Sequence, residues 1–86
     1  MAVRQIQYRG MTIKAAAFEV MGTGRFVVTV SIARTRVRAK DRMDKVFEPP
    51  SEDGFFDDPD EGLDVAIAFG REIIDGSVPN LTVEDL

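Results

Sequence analysis

The stretch RFVVTVSIA, residues 25–33, decides the fold class. Phe26, Val28, Val30 and Ile32 fall on one parity, and the positions between them carry mostly polar or small side chains. Alternation with a period of two, together with many β-branched residues, is typical of a strand that buries one face. The stretch therefore predicts a half-buried antiparallel strand.

A partner strand and a turn precede this segment. Residues 11–20, MTIKAAAFEV, are rich in apolar side chains, and residues 21–24 include Gly22 and Gly24. Glycine reaches the positive φ angles that tight hairpin turns need. We therefore predict a hairpin that pairs 11–20 with 25–33. A helix over the three alanines is the competing interpretation, because alanine favours helices.

The apolar residues of the first hairpin strand do not keep one parity. Met11 and Ile13 share one face of a regular strand, whereas Phe18 and Val20 share the other. One extra residue in a β-bulge resets the parity of a strand. We therefore expect a bulge at the alanines 15–17, which would turn Ile13 and Phe18 toward the same core.

Shorter segments flank these elements. Residues 5–9 alternate polar and apolar side chains and predict a short first strand or a ragged start. Residues 45–48 and 54–57 flank the prolines 49–50, which cannot donate to a ladder, and predict a small hairpin around a loop. The tail 77–86 predicts either a short edge strand or a loosely tied end.

A helix start is visible in the sequence DPDE, which begins at Asp58. Asp58 suits the N-cap, Pro59 suits the first helical position, and Glu61 is placed to bond back to the cap. Apolar residues then recur at helical spacing and predict a helix over about residues 59–75. Gly70 lies on the apolar face, where we expect it to let the helix backbone approach the sheet closely.

Together these elements predict an α+β fold, in which an antiparallel sheet of three to four strands packs on one C-terminal α-helix, about residues 59–75. The chain is too short for two cores, so we predict a single domain over 1–86. We expect a basic arm or loop at 34–45, an acidic loop at 48–58 and a loosely held tail at 77–86. The predicted core is Ile13, Phe18, Phe26, Val28, Val30, Ile32, Leu63, Ala66, Ile67, Phe69, Gly70, Ile73 and Ile74.

Composition argues against several kinds of chemistry. The chain has no Cys and no His, so it offers neither a thiolate nucleophile nor an imidazole base or ligand. The acidic residues do not fit a calcium loop that starts at Asp57 or Asp58. We therefore expect no enzymatic activity, no cofactor and no metal site. No stretch approaches the roughly 20 apolar residues of a membrane span, and no secretory leader is recognised, so we expect a cytoplasmic protein.

The formal net charge of -4 conceals a strong asymmetry. Residues 1–46 carry ten Lys and Arg against three acids, whereas residues 47–86 carry one Arg against twelve acids. The densest cations continue the parity of the core side chains of 25–33. Because unpaired cations are not buried, we expect the strand to twist, bulge or leave the core near residue 34, and in the simplest case to overrun the sheet into a basic arm or loop. These cations, the basic ladder, are Arg34, Arg36, Arg38, Lys40 and Arg42.

The basic ladder is the candidate binding surface, and three interpretations are open. It can be a solvated segment, or one neutralised by the acidic stretch 48–64. It can bind an acidic protein partner. It can also bind nucleic acid, because alternate strand residues lie about 6.6–7 Å apart, which resembles the spacing of successive phosphates. Tyr8, Arg9 and Arg25 would then extend the patch, although the pI near 4.7 is low for such a protein.

These features predict a small non-enzymatic protein-interaction module that binds a protein partner or self-associates through its oppositely charged stretches. The alternative is nucleic-acid binding through residues 34–42. No membrane partner is expected.

Two stretches resemble the small HicB-like antitoxin domains and the related double-stranded-RNA-binding type of layout. GTGRFVV, residues 22–28, is similar to the HicB hairpin, and DPDEGLDVA, residues 58–66, is similar to its helix start, with Gly62 where alanine is usual. Residues 34–54 are foreign to that pattern. The chain also resembles small uncharacterised bacterial proteins in Tyr8-Arg9-Gly10 and Ile74-Asp75. The resemblance implies the sheet-and-helix fold and, as a further alternative, antitoxin-like inhibition of a partner protein.

Overall fold

The computed structural model describes residues 2–38, 40, 43–51, 53–84 and 86, and it confirms the predicted α+β layout. One antiparallel sheet has the strand order β1-β2-β3-β4. Its strands are β1 (Ala2–Tyr8), β2 (Met11–Val20), β3 (Arg25–Arg34) and β4 (Lys45–Phe47). The helix α1 (Pro59–Ile74) packs on one face of this sheet, mainly over β2 and β3.

The β2–β3 hairpin is confirmed, but the expected bulge in β2 is wrong. The pairing runs without interruption from Met11↔Arg34 to Val20↔Arg25. β2 therefore keeps one parity, with Met11, Ile13, Ala15 and Ala17 buried beneath α1 and the residues between them on the opposite face. Phe18 lies on that outer face and is 44% exposed, so its assignment to the core is wrong.

The rest of the predicted core agrees more closely with the structure. Phe26, Phe69 and Ile74 are partly buried and pack against the core, while the remaining predicted residues are buried. Ala15 and Ala17, which are absent from the predicted core, are fully buried. Small residues suffice there because the helix lies close above them.

Two glycines set how close the helix lies to the sheet. A Cβ atom built on Gly70 would lie 2.8 Å from Cγ2 of Ile13, and one built on Gly62 would lie 2.6 Å from Cγ2 of Val28. Contacts this short force a neighbour to move, so only glycine fits under the present packing. The expected close approach at Gly70 is confirmed, and Gly62 repeats it two turns earlier.

Both ends of α1 follow the sequence signals. The side chain of Asp58 accepts a hydrogen bond from the N–H of Asp60 at 3.0 Å, and Pro59 is the first helical residue. Past the C-cap Asp75, Gly76 has φ +78°, a conformation that few other residues adopt without strain. The N–H groups of Gly76 and Ser77 bond to the carbonyls of Ile73 and Glu72, which is the Schellman arrangement.

The two short segments around the proline loop pair with β3 and not with each other, so the small predicted hairpin is wrong. β4 pairs with the second half of β3, from Val30↔Phe47 to Ile32↔Lys45. Phe56 forms a bridge with Phe26 near the start of β3, through hydrogen bonds of 2.7 and 2.9 Å. The edge of β3 is ten residues long and accommodates both segments.

The C-terminal tail is anchored by its apolar side chains. Val83 is 7% exposed and belongs to the core, and Leu81 and Leu86 pack against it. Nζ of Lys45 donates to the carbonyl of Thr82 at 2.9 Å. In the described part of 77–86 the backbone forms no strand.

Candidate interaction surface

β3 ends at Arg34, so the expected overrun of the strand does not form. Arg34 pairs with Met11, the first residue of β2, and a longer β3 would have no partner strand there. The chain turns instead, and the N–H of Thr35 donates to the carbonyl of Gly10 at 3.0 Å. The hydroxyls of Thr35 and Thr12 also lie 2.9 Å apart in a hydrogen bond. These bonds hold the turn after β3 against the turn between β1 and β2.

The turn between β1 and β2 is as short as a hairpin turn can be. Tyr8 pairs with Met11, so only Arg9 and Gly10 connect the strands. Their φ angles are 50° and 77°, the positive values of a type I′ turn. Arginine is uncommon in this conformation, which is why the sequence did not reveal it.

A shallow pocket of about 380 Å³ opens between these two turns, lined by Gln7, Gly10, Arg34, Thr35, Arg36 and Val37. Arg34 and Arg36 supply its positive charge. Val37 is half-buried. We call this pocket with its two arginines the basic corner. The sequence could not predict its uncharged lining, because those residues come from two turns that are distant along the chain.

The structure places the basic ladder as follows. Arg34 and Arg36 meet at the basic corner, and Arg38 and Lys40 follow it along the chain, exposed to solvent. Arg42 lies outside the described residues. Because residues 35–37 form a turn and a bend, the regular strand spacing expected of the ladder is absent from this segment.

The cations of the basic ladder that the structure describes are not neutralised by the acidic stretch 48–64. Arg36, Arg38 and Lys40 form no ion pair with any other described residue, and Nε of Arg34 donates to the main-chain oxygen of Leu86. The acids instead pair with arginines of the sheet and its turns. Among the described residues the geometry therefore disfavours neutralisation of the ladder by the stretch 48–64 and leaves a basic surface available.

Arg25 holds the acidic loop at the far end of β3. Its guanidinium pairs with Asp53 and with Asp57, the latter at 3.3 Å, and stacks 5.0 Å from the ring centre of Phe55. The hydrogen bond from Arg25 lowers the pKa of Asp53 from its ordinary value, and the N–H of Phe55 lowers it further. The same hydrogen bond from Asp53 raises the pKa of Arg25.

Two further cations, Arg4 and Arg9, pair with acids of the helix and its C-cap. Arg4 of β1 pairs with Asp64 and reaches Asp60 at 3.9 Å. At the other end of α1, Asp75 accepts a hydrogen bond from the hydroxyl of Tyr8 at 2.8 Å and lies 3.2 Å from Nε of Arg9. These contacts clamp the edge strand to the helix.

Tyr8, Arg9 and Arg25 therefore do not extend the basic patch, contrary to the expectation from sequence. Each holds a carboxylate of this chain. Arg25 begins β3 and Arg34 ends it, so about 30 Å of strand separates them.

The chemistry within reach of the basic corner is anion binding. The described residues contain no cluster of three or more acidic side chains able to hold a metal ion. Over the same residues, no polar or charged side chain is buried. Exposed guanidinium groups beside a pocket recognise carboxylates and phosphates through paired N–H donors.

In the described part of the chain, no helix is long and apolar enough to span a membrane. No family model matches the chain, and neither the curated proteins nor the solved structures include a significant match.

Proposed function

We propose that this protein is a small non-enzymatic interaction module whose basic corner binds an acidic segment of a partner protein. The carrying observation is the unequal pairing of charges. The acids next to Arg4, Arg9 and Arg25 are engaged within the chain, whereas Arg36 and Arg38 form no ion pair among the described residues.

The shape of the corner favours an acidic peptide over a nucleic-acid backbone. A pocket of about 380 Å³ accommodates a few side chains, and Arg34 and Arg36 at its wall can each fork onto a carboxylate. Residues 35–37 form a turn and a bend, so in the described part of the ladder Arg34, Arg36 and Arg38 do not keep the even strand spacing that would follow successive phosphates. The acidic character of the whole chain, with a pI near 4.7, also opposes the approach of a long polyanion.

Fluorescence anisotropy with a labelled polyglutamate peptide tests this function. At about 0.05 M NaCl, where the Debye length exceeds about 10 Å, we expect saturable binding that weakens strongly at about 1 M NaCl. Arg36→Ala combined with Arg38→Ala should abolish most of the affinity. The control, Lys14→Ala combined with Arg71→Ala, removes the same charge elsewhere and should retain it.

Parallel titrations with single- and double-stranded DNA and RNA separate the two classes of partner. Tighter binding to an oligonucleotide than to the peptide, lost in the Arg36/Arg38 variant, would replace this proposal with nucleic-acid binding. Binding to neither probe, or equal losses in both double variants, would contradict it. The HicB-like resemblance adds one prediction about the partner, namely a toxin-like enzyme encoded in the adjacent reading frame.

A further inference from the structure

Leu86, in the C-terminal tail, lies directly beside the basic corner. Nε of Arg34 donates a hydrogen bond to the main-chain oxygen of Leu86. A small hollow of about 50 Å³ is lined by Arg34, Val37, Met43 and Leu86. Arg34 and Val37 also line the pocket of the basic corner, so the hollow and the pocket adjoin. The tail therefore already uses one of the arginines to which we assign partner binding.

The tail also carries the chemistry that a basic site attracts. Glu84 and Asp85 precede Leu86 in the sequence. The side chain of Glu84 is exposed and forms no ion pair with any other described residue. Leu86 is half-buried and adds an aliphatic side chain to these acids. Residues 84–86 thus form an acidic sequence followed by an aliphatic side chain.

Only a few of the described contacts hold this segment. Its anchor is Val83, which is 7% exposed and belongs to the core. The N–H of Leu86 donates to the carbonyl of Val83 at 3.1 Å, and Leu86 accepts the bond from Arg34. These contacts leave Arg36 and Arg38 unengaged. A longer acidic segment that pairs with all three guanidinium groups therefore gains bonds that the tail does not make.

Resting on the proposed function, we propose that the basic corner recognises an acidic segment followed by an aliphatic side chain, and that residues 84–86 occupy the place of this segment in the free protein. The acids of the partner pair with Arg34, Arg36 and Arg38. Its aliphatic side chain enters the hollow that Leu86 occupies. Because the tail leaves before the partner binds, the apparent dissociation constant rises as the fraction of open molecules falls.

Leu86→Ala tests the competition in the full chain. Fluorescence anisotropy with the labelled polyglutamate peptide, at the low salt given above, compares this variant with the wild type. Its dissociation constant should be about three- to tenfold lower, because Arg34 is released from the tail. The control Leu81→Ala shortens a tail residue that packs on the core outside the hollow, and it should bind like the wild type.

Two unlabelled competitor peptides test the aliphatic side chain. The peptide NLTVEDL, residues 80–86 of this chain, should displace labelled polyglutamate from the Leu86→Ala protein. The same peptide carrying Leu86→Ala should require a higher concentration. Both peptides have the same charge, so the difference reports the hollow and not the arginines. Equal competition by the two peptides would overturn the aliphatic part of the proposal.

NMR of the wild type gives a measurement that needs no variant. As polyglutamate saturates the protein, the methyl signals of Leu86 should move to the positions of a solvent-exposed leucine, while those of Leu81 stay in place. If polyglutamate binds the wild type and Leu86→Ala equally and the Leu86 signals do not move, this inference is overturned and the proposed function stands. If polyglutamate binds neither protein, the proposed function fails and this inference fails with it.

Discussion

Gly70→Ala tests how closely α1 lies on the sheet. The added Cβ would lie 2.8 Å from Cγ2 and 3.3 Å from Cδ1 of Ile13, and 3.4 Å from Cγ2 of Val30. Ile13 and Val30 both have zero exposure, so neither side chain has free space to move into. The substitution therefore forces the helix away from the sheet or twists Ile13 from its rotamer.

Two opposing effects set the magnitude. Inside a helix, alanine is more favourable than glycine by about 0.8–1.0 kcal/mol. Overpacking a filled core costs about 1–3 kcal/mol. Because Ile13 is enclosed on all sides, we expect strain to dominate, so that Gly70→Ala lowers the free energy of unfolding by about 1–2 kcal/mol.

Urea unfolding followed by circular dichroism measures this change. The exposed position Ala68 in the same helix provides the control, because Ala68→Gly reports propensity without packing and should cost about 1 kcal/mol. Ile13→Ala removes the side chain that the new methyl meets and alone should cost about 2–5 kcal/mol. In that background Gly70→Ala should stabilise the protein. If Gly70→Ala stabilises the wild type instead, the inferred close approach is incorrect.

Three further substitutions probe the core, the helix cap and the acidic loop. Ile67→Ala, at a residue 6% exposed, should cost about 2–5 kcal/mol, and unchanged urea unfolding would contradict the helix orientation. Asp58→Ala removes the bond to the N–H of Asp60 and should cost about 0.5–2 kcal/mol, whereas Asp58→Asn should cost less. Arg25→Ala should raise the pKa of Asp53 toward 3.8, as measured by a carboxyl NMR titration, and an unshifted titration would contradict the pairing. Because folding lowers the pKa of Asp53, its contribution to stability is complete above 3.8 and is lost as the pH falls through the folded-state pKa. The unfolding free energies of wild type and Asp53→Asn should therefore differ by a constant amount from about pH 5 to about pH 8 and converge in acid.

The elements predicted correctly are those that depend on residues close together along the chain. The alternation in residues 25–33, the glycines between the hairpin strands and the cap at Asp58 each act within a few residues. The structure shows β3, its hairpin and the start of α1 accordingly. Phe18 shows where this reasoning stops. The bulge expected at the alanines 15–17 would turn Phe18 toward the core, whereas the uninterrupted strand buries Ala15 and Ala17 and leaves Phe18 on the outer face.

The distance between α1 and the sheet determines which side chains fit on the buried face of β2. The sequence indicates this distance, but through residues that lie far from β2 along the chain. Gly62 and Gly70 lie on the sheet-facing side of α1 and remove the two side chains that would hold it away. The small residues on the buried face of β2 and the glycines on the apolar face of α1 therefore both belong to the same close packing of helix and sheet. Reading them as a pair would have assigned Ala15 and Ala17 to the core and Phe18 to the outer face.

The sequence shows which cations belong to the candidate site, but it does not show the shape of the site. The shape depends on residues that are far apart along the chain. The cations of 34–42 are evident in the sequence, but the end of β3 is fixed by the start of β2, where Met11 pairs with Arg34. The partners of the acids are equally distant along the chain. Asp53 pairs with Arg25, Asp64 with Arg4, and Asp75 with Arg9.

The charge asymmetry therefore consists of two physically different parts. Arg4, Arg9 and Arg25 form ion pairs with acids of the acidic loop, the helix and its C-cap. These opposite charges therefore neutralise one another within the chain. Arg36, Arg38 and Lys40 form no such pair with any other described residue, and they keep their attraction for an external anion. Salt should separate the two parts, because surface ion pairs contribute little to stability. Raising NaCl to about 1 M should leave the unfolding midpoint nearly unchanged while it releases a ligand held at the basic corner.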